Sequence, residues 1–127
     1  MKNVINWFEI YVSDFDRAKK FYSEVFKLEL TDLPMNNPNH PDMKYATFPS
    51  DMNGWGASGA LVKMSDVKPG MGGTLIYFVT PEITDELSRV ESAGGKIYRG
   101  KMDIGEFGFI ALVEDSEGNM IGMHSMK

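Results

Sequence analysis

A segment rich in β-branched and aromatic residues, followed at once by a capped amphipathic helix, occurs twice in this chain, and that recurrence constrains the fold most. In the first copy, residues 4–12 (Val-Ile-Asn-Trp-Phe-Glu-Ile-Tyr-Val) read as a strand. Ser13, Asp14 and Asp16 then offer N-capping side chains. Phe15, Ala18, Phe21, Tyr22, Val25 and Phe26 recur at helical spacing, which predicts a helix over 14–26 with Arg17, Lys19, Lys20 and Glu24 in water. Short strands are expected at 28–30, 45–48 and 59–63, between turn-rich stretches.

The series restarts after a glycine-bearing connection over 65–73. Residues 74–79 form the next expected strand; Thr80 and Pro81 suit an N-cap and first helical position. Ile83, Leu87, Val90 and Ala93 make the apolar stripe, and Gly94-Gly95 supplies a left-handed stop. Strands at 96–98, 107–114 and 119–124 close the second half. Val12 matches Val79 at an offset of 67, and one inserted residue aligns Phe15, Tyr22 and Val25 with Ile83, Val90 and Ala93. The expected fold is therefore α+β: two tandem βαβββ modules, about 1–64 and 73–127 of one domain. An unrelated two-helix α+β sandwich satisfies the same apolar pattern.

Composition removes several functions. There is no cysteine, so thiolate nucleophiles, thiolate metal sites and disulfides are excluded. A net charge of -5, with Lys19-Lys20 as the only adjacent basic pair, argues against nucleic acid. No apolar run approaches a membrane span and the N-terminal residues lack a signal-peptide pattern, so a cytoplasmic location is expected. No phosphate-binding, dinucleotide or nucleophile-elbow motif occurs, which leaves a small molecule or another protein chain as partner. Ten methionines could line an adaptable pocket or simply fill the core.

The run Asn6-Trp7-Phe8-Glu9-Ile10-Tyr11-Val12-Ser13-Asp14-Phe15-Asp16-Arg17-Ala18 through Phe21-Tyr22 resembles the opening signature of the glyoxalase/bleomycin resistance protein/dioxygenase (vicinal oxygen chelate) superfamily. Gly59-Ala60-Leu61-Val62, Ala93-Gly94-Gly95-Lys96, Phe107-Gly108-Phe109-Ile110-Ala111, Asp115-Ser116-Glu117-Gly118-Asn119 and Ile121-Gly122-Met123-His124-Ser125 extend the similarity over nearly the whole chain. The resemblance implies a curled, barrel-like mixed sheet around a cavity with the helices packed outside, a homodimer with the site near the subunit interface, and, in many members, a divalent metal held by four side chains from the first and last strands of the modules. Matched by motif, those positions fall at Trp7, near Gly59 or Ala60, at Thr74 and at Gly122, none of which is a metal ligand. A metal-free protein without cofactor is expected, and glyoxalase I or dioxygenase activity is argued against.

Strand alternation puts Trp7, Glu9 and Tyr11 on the cavity face and Phe8, Ile10 and Val12 beneath the helices. The same reasoning turns Thr74, Ile76 and Phe78 inward and places Met120, Gly122 and His124 on one face. Glu9 among aromatics is either a group of raised pKa, serving as general acid/base or as an anchor for a cationic or hydroxylated ligand, or a carboxylate hydrogen-bonded to a strand or a tyrosine hydroxyl. His124 is its candidate proton-transfer partner or an idle near-terminal side chain; His40 is the other imidazole. Trp7, Phe48, Trp55 and Phe109 form either an aromatic ligand wall or core, with the loop over 51–59 as a lid and that over 33–41 as a second rim. With Tyr11, Thr74 and Gly122, these residues define the expected ligand site. The favoured function is metal-independent binding of an apolar or aromatic small molecule. A lyase or isomerase using Glu9 with His124, and a ligand-sensing or dimeric interaction module, are the alternatives.

Overall fold

The computed structural model describes residues 3, 5–35, 38, 41–51 and 53–127. His40 and part of the expected second rim lie outside them. The α+β expectation holds: two four-stranded mixed sheets and two helices, each sheet curled but not closed into a barrel. The first sheet contains β1 (Trp7–Tyr11), β2 (Thr31–Leu33), β3 (Lys44–Thr47) and β4 (Ser58–Lys63), in the order β1-β4-β3-β2. The second contains β5 (Tyr77–Val79), β6 (Lys96–Asp103), β7 (Phe109–Glu114) and β8 (Met120–Ser125), in the equivalent order β5-β8-β7-β6. In both, the first strand runs parallel to the last and the remaining pairs are antiparallel.

Helix α1 (Phe15–Phe26) starts where the cap requires: Asp14 is the N-cap, and its carboxylate accepts from the Arg17 backbone N–H at 3.0 Å. Phe15, Ala18, Phe21, Tyr22 and Val25 are its buried stripe. Burying each large apolar side chain contributes roughly 1.5–3 kcal/mol before entropy is counted. Helix α2 (Ile83–Val90) begins two residues later than Thr80-Pro81 suggests, because the Thr80 N–H is committed to the His124 carbonyl at 2.8 Å and extends the strand. Glu82 is the cap, accepting from Thr84 N–H, and Gly94 at φ 102° carries the chain out beyond the helix.

These boundaries revise the repeat. Asp14 and Glu82 are both caps, Phe15 and Ile83 both open helices, and Val12 and Thr80 make the same strand-end hydrogen bond, each pair 68 positions apart. The offset of 67 for Val12 and Val79 is a one-residue slip, and no insertion is needed. Other corrections are local: β2 lies at 31–33 instead of 28–30, β5 is shorter than 74–79, and residues 105–107 form a 3-10 turn before β7. Edge strand β6 is longer than expected and carries two register shifts, a bulged geometry that discourages further pairing.

One core joins both modules, uniting Ile10, Phe21 and Tyr22 with Ile83, Val113 and Met123. The Phe78 ring lies 4.5 Å from Phe26, 5.6 Å from Phe48 and 6.1 Å from Phe8, so aromatic packing crosses the module boundary. The turn between β7 and β8 fastens the halves together. Glu117 accepts from Ser13 N–H (3.1 Å), Asp14 N–H (2.7 Å) and Arg17 Nε (2.7 Å), while the buried Tyr22 hydroxyl donates to Asp115 at 2.7 Å. Burial opposes ionisation of Glu117, but Arg17 and the converging N–H groups prevail and draw its pKa down to about 2. Asp115 is shifted upward, burial outweighing the bonds from Tyr22, Asn119 and Glu117.

Candidate functional site

A cleft of about 680 Å³ runs along β1 and β5, each an edge strand of its own sheet, bordered by Trp7, Glu9, Tyr11, Leu75, Tyr77 and Met120. The alternation of β1 creates half of it. Phe8 and Ile10 join the core while Trp7, Glu9 and Tyr11 point to the other side. Strand β3 supplies a residue that the sequence did not single out: Tyr45 pairs across from Val62, which pairs with Tyr11, so its side chain shares that face.

A directed chain of hydrogen bonds results. Trp7 Nε1 donates to the Tyr45 hydroxyl at 3.0 Å, and Tyr45 donates to Glu9 Oε2 at 2.8 Å. Tyr11 donates to Glu9 Oε1 at 3.0 Å. Both carboxylate oxygens are therefore engaged by phenols, the hydrogen-bonded arrangement weighed for Glu9 from sequence. Tyr11 and Tyr45 have raised pKa values, burial being the larger cause and hydrogen bonding to Glu9 the next. Both remain protonated donors at neutral pH. Asn119 closes the cleft floor, donating to the Tyr11 carbonyl at 2.9 Å and accepting from Gly70 N–H at 2.8 Å.

On β5 the sequence expectation is inverted. Tyr77 pairs with Gly122, Phe78 with Met123 and Val79 with His124, and Met123 and Phe78 belong to the core side. Ile76 and Phe78 therefore pack beneath the helices in place of the cavity face, with Ile76 still touching the cleft margin, whereas Leu75 and Tyr77 take the cleft side. Thr74 still borders it from the preceding loop. Gly122 makes room for an aromatic ring. A Cβ at that position would lie 2.5 Å from two Tyr77 ring carbons, so the ring rests across this strand because no side chain intervenes.

Other expected site residues are placed elsewhere. Phe48 is a core residue that packs edge-on against Tyr22 at 5.5 Å. Phe109 packs against the same core, with Lys101 Nζ 4.5 Å from its ring centroid, since its register partner Ser125 lies on the helix side with Met123. Neither borders the cleft. Trp55 is 89% exposed and borders an adjoining recess that shares Ile5, Trp7 and Ala57 with the cleft. His124 is not brought to Glu9: its Nε2 lies 2.6 Å from the Phe107 carbonyl, an arrangement in which that nitrogen carries the proton.

The 68-residue offset and the strand pairing define the four positions equivalent to the family's metal ligands. Trp7 corresponds to Leu75, and Ala60, opposite Glu9, corresponds to Gly122, opposite Tyr77. The second-module position is thus Leu75 in place of Thr74. An indole, two aliphatic groups and a hydrogen offer no donor to a divalent ion, and the Tyr77 ring covers Gly122. These residues do not fit the metal. Among the described residues, no group of three or more His, Asp or Glu side chains is disposed to hold one elsewhere.

The fold is shared with solved structures of low sequence identity. A glyoxalase I mutant from Zea mays matches 95% of this chain at TM-score 0.71 and 17% identity, and the chain spans only 45% of its length. A glyoxylase/bleomycin resistance protein/dioxygenase domain from Frankia sp. EAN1pec covers 100% of both chains at TM-score 0.70 and 16% identity. TnmS3, an antibiotic binding protein from Streptomyces sp. CB03234, covers 97% of this chain and 95% of its own at TM-score 0.66 and 23% identity. No curated protein matches by sequence. No helix among the described residues is long and apolar enough to cross a membrane. The family model for the glyoxalase/bleomycin resistance protein/dioxygenase superfamily matches residues 4–123, and this chain belongs to that superfamily.

Proposed function

We propose that the protein is a metal-independent small-molecule binding protein, holding an apolar or aromatic ligand in the cleft along β1 and β5. The carrying observation is that Trp7, Ala60, Leu75 and Gly122 stand at the four metal positions, so that no donor set is present, and that Trp7 and Leu75 among them line the cleft with aromatic and aliphatic surface. A concave, largely apolar recess with a few fixed polar groups is the usual form of a ligand site. Glu9, Asn119 and the Tyr11 hydroxyl are those fixed groups here. The antibiotic binding neighbour with the same fold supports the reading. Cytoplasmic residence and homodimeric assembly belong to it as well; exposed Val79 and Phe107, outside the cleft, support the assembly, and a solution mass of twice 14.2 kDa tests it.

Calorimetric titration with a panel of aromatic small molecules, in the presence of a chelator, tests the function. Saturable binding without chemical change to the ligand is expected, weakened about tenfold or more by Trp7→Ala, the loss expected for an anchoring aromatic. Turnover that disappears in Glu9→Gln would favour the enzymatic alternative. Absence of saturable binding across the panel would overturn the proposal.

A further inference from the structure

The cleft has a chemistry more specific than apolar. Its wall combines a carboxylate hydrogen-bonded through both oxygens with three aromatic side chains: Trp7 and Tyr11 on β1 and Tyr77 on β5. Tyr45 and Tyr11 hold both Glu9 oxygens at 2.8 and 3.0 Å, so the negative charge is oriented before any ligand arrives. A carboxylate has further lone-pair capacity after two such bonds. Tyr77 is seated over the bare backbone of Gly122, yet remains 46% exposed, which presents an immobilised ring to the cleft. Aromatic rings beside a fixed carboxylate are the means by which proteins hold quaternary ammonium and protonated amine groups.

We infer that the cleft selects organic cations, a quaternary or protonated amine carried on an aromatic or apolar frame, with Glu9 as counter-charge and Trp7 and Tyr77 as the ring faces. This inference rests on the binding function proposed above and names its ligand class. The opposing charge at the cleft is Lys68, an exposed loop side chain, whereas Asp66 in the same loop adds negative potential at Tyr11. The net charge of -5 draws cations toward the protein generally.

Three probes of one shape separate the sources of affinity: benzyltrimethylammonium, its neutral isostere neopentylbenzene, and benzylsulfonate. Titrations of the intact protein followed by amide chemical shifts are expected to give the cation about tenfold tighter binding than the isostere at low salt. The ratio should fall to about threefold or less in 0.5 M salt, in Glu9→Gln, and in Gly122→Ala, which displaces Tyr77. The salt arm needs no variant and reads the same charge if a variant misfolds. Equal binding of all three probes would overturn the cation assignment while leaving the binding function intact. A preference for the sulfonate would overturn it in favour of Lys68. No binding of any probe at millimolar concentration would overturn both readings.

Discussion

The two modules share strand order, helix placement and a constant offset, yet use the same face differently. In module one the β1 face is Trp7, Glu9 and Tyr11, tied to Tyr45 by directed hydrogen bonds. In module two the equivalent residues are Leu75, Tyr77 and Val79, an exposed and largely apolar row. The helices diverge in the same sense. Tyr22 of α1 is completely buried and bonded to Asp115, whereas its counterpart Val90 is simply apolar. The two modules share a backbone plan, which depends on apolar periodicity, while the side chains that carry polar chemistry are concentrated in module one and in the turn that clasps it.

The largest effects are expected at that clasp. Glu117→Gln removes the charge that Arg17 and two backbone N–H groups share, and should cost about 2–3 kcal/mol, read by denaturant unfolding. Because the folded-state pKa of Glu117 is depressed to about 2, its contribution is present above the ordinary glutamate range and is lost as pH falls through that range toward about 2. Asp115, shifted upward by burial, opposes part of this change. The variant should therefore show a shallower loss of stability in acid than the parent; an unchanged profile would mean that the clasp does not couple the modules.

Next in size, Tyr22→Phe leaves buried Asp115 without its phenol donor and should destabilise by about 1–2 kcal/mol, whereas Val90→Ala at the equivalent site costs packing alone. Raised tyrosine pKa values give a related test. Tyr11, Tyr22 and Tyr45 should ionise above the ordinary tyrosine range in an ultraviolet titration, Tyr22 last, and the stability they contribute should be lost as pH rises through those values. Gly122→Ala should cost about 1 kcal/mol by pushing the Tyr77 ring away, while Ala60, its module-one equivalent, already carries the methyl opposite Glu9. Glu9→Gln should be the mildest, about 0.5–1 kcal/mol, because the half-open network is solvated.

Much of this architecture was legible in the chain. The helical stripe from Phe15 to Phe26 and the alternation of β1 follow from local periodicity, and both stand in the structure. In the second module local likeness misleads by one residue, since Val12 and Val79 look alike whereas the structural partner of Val12 is Thr80, a polar residue buried at the strand end. That slip inverted β5 and hid Tyr77, as a period of two requires. Phe48 and Phe109 were ambiguous because aromatic residues serve cores and pockets alike. Tyr45 could not be found from spacing: its meeting with Glu9, 36 residues away, depends on the register of β3 on β4 and of β4 on β1. The turn Asp115–Asn119 was readable as a hairpin, but its grip on α1 is a tertiary fact.

Whether the lost donor set has become a working ligand cleft is tested most directly by one titration: an aromatic ligand added to labelled protein, followed by amide shifts, with chelator and again with added divalent metal. The same Kd is expected in both, with shifts centred on Trp7, Glu9, Tyr77 and Met120. Binding that requires the metal, or shifts that cluster away from those residues, would contradict that expectation.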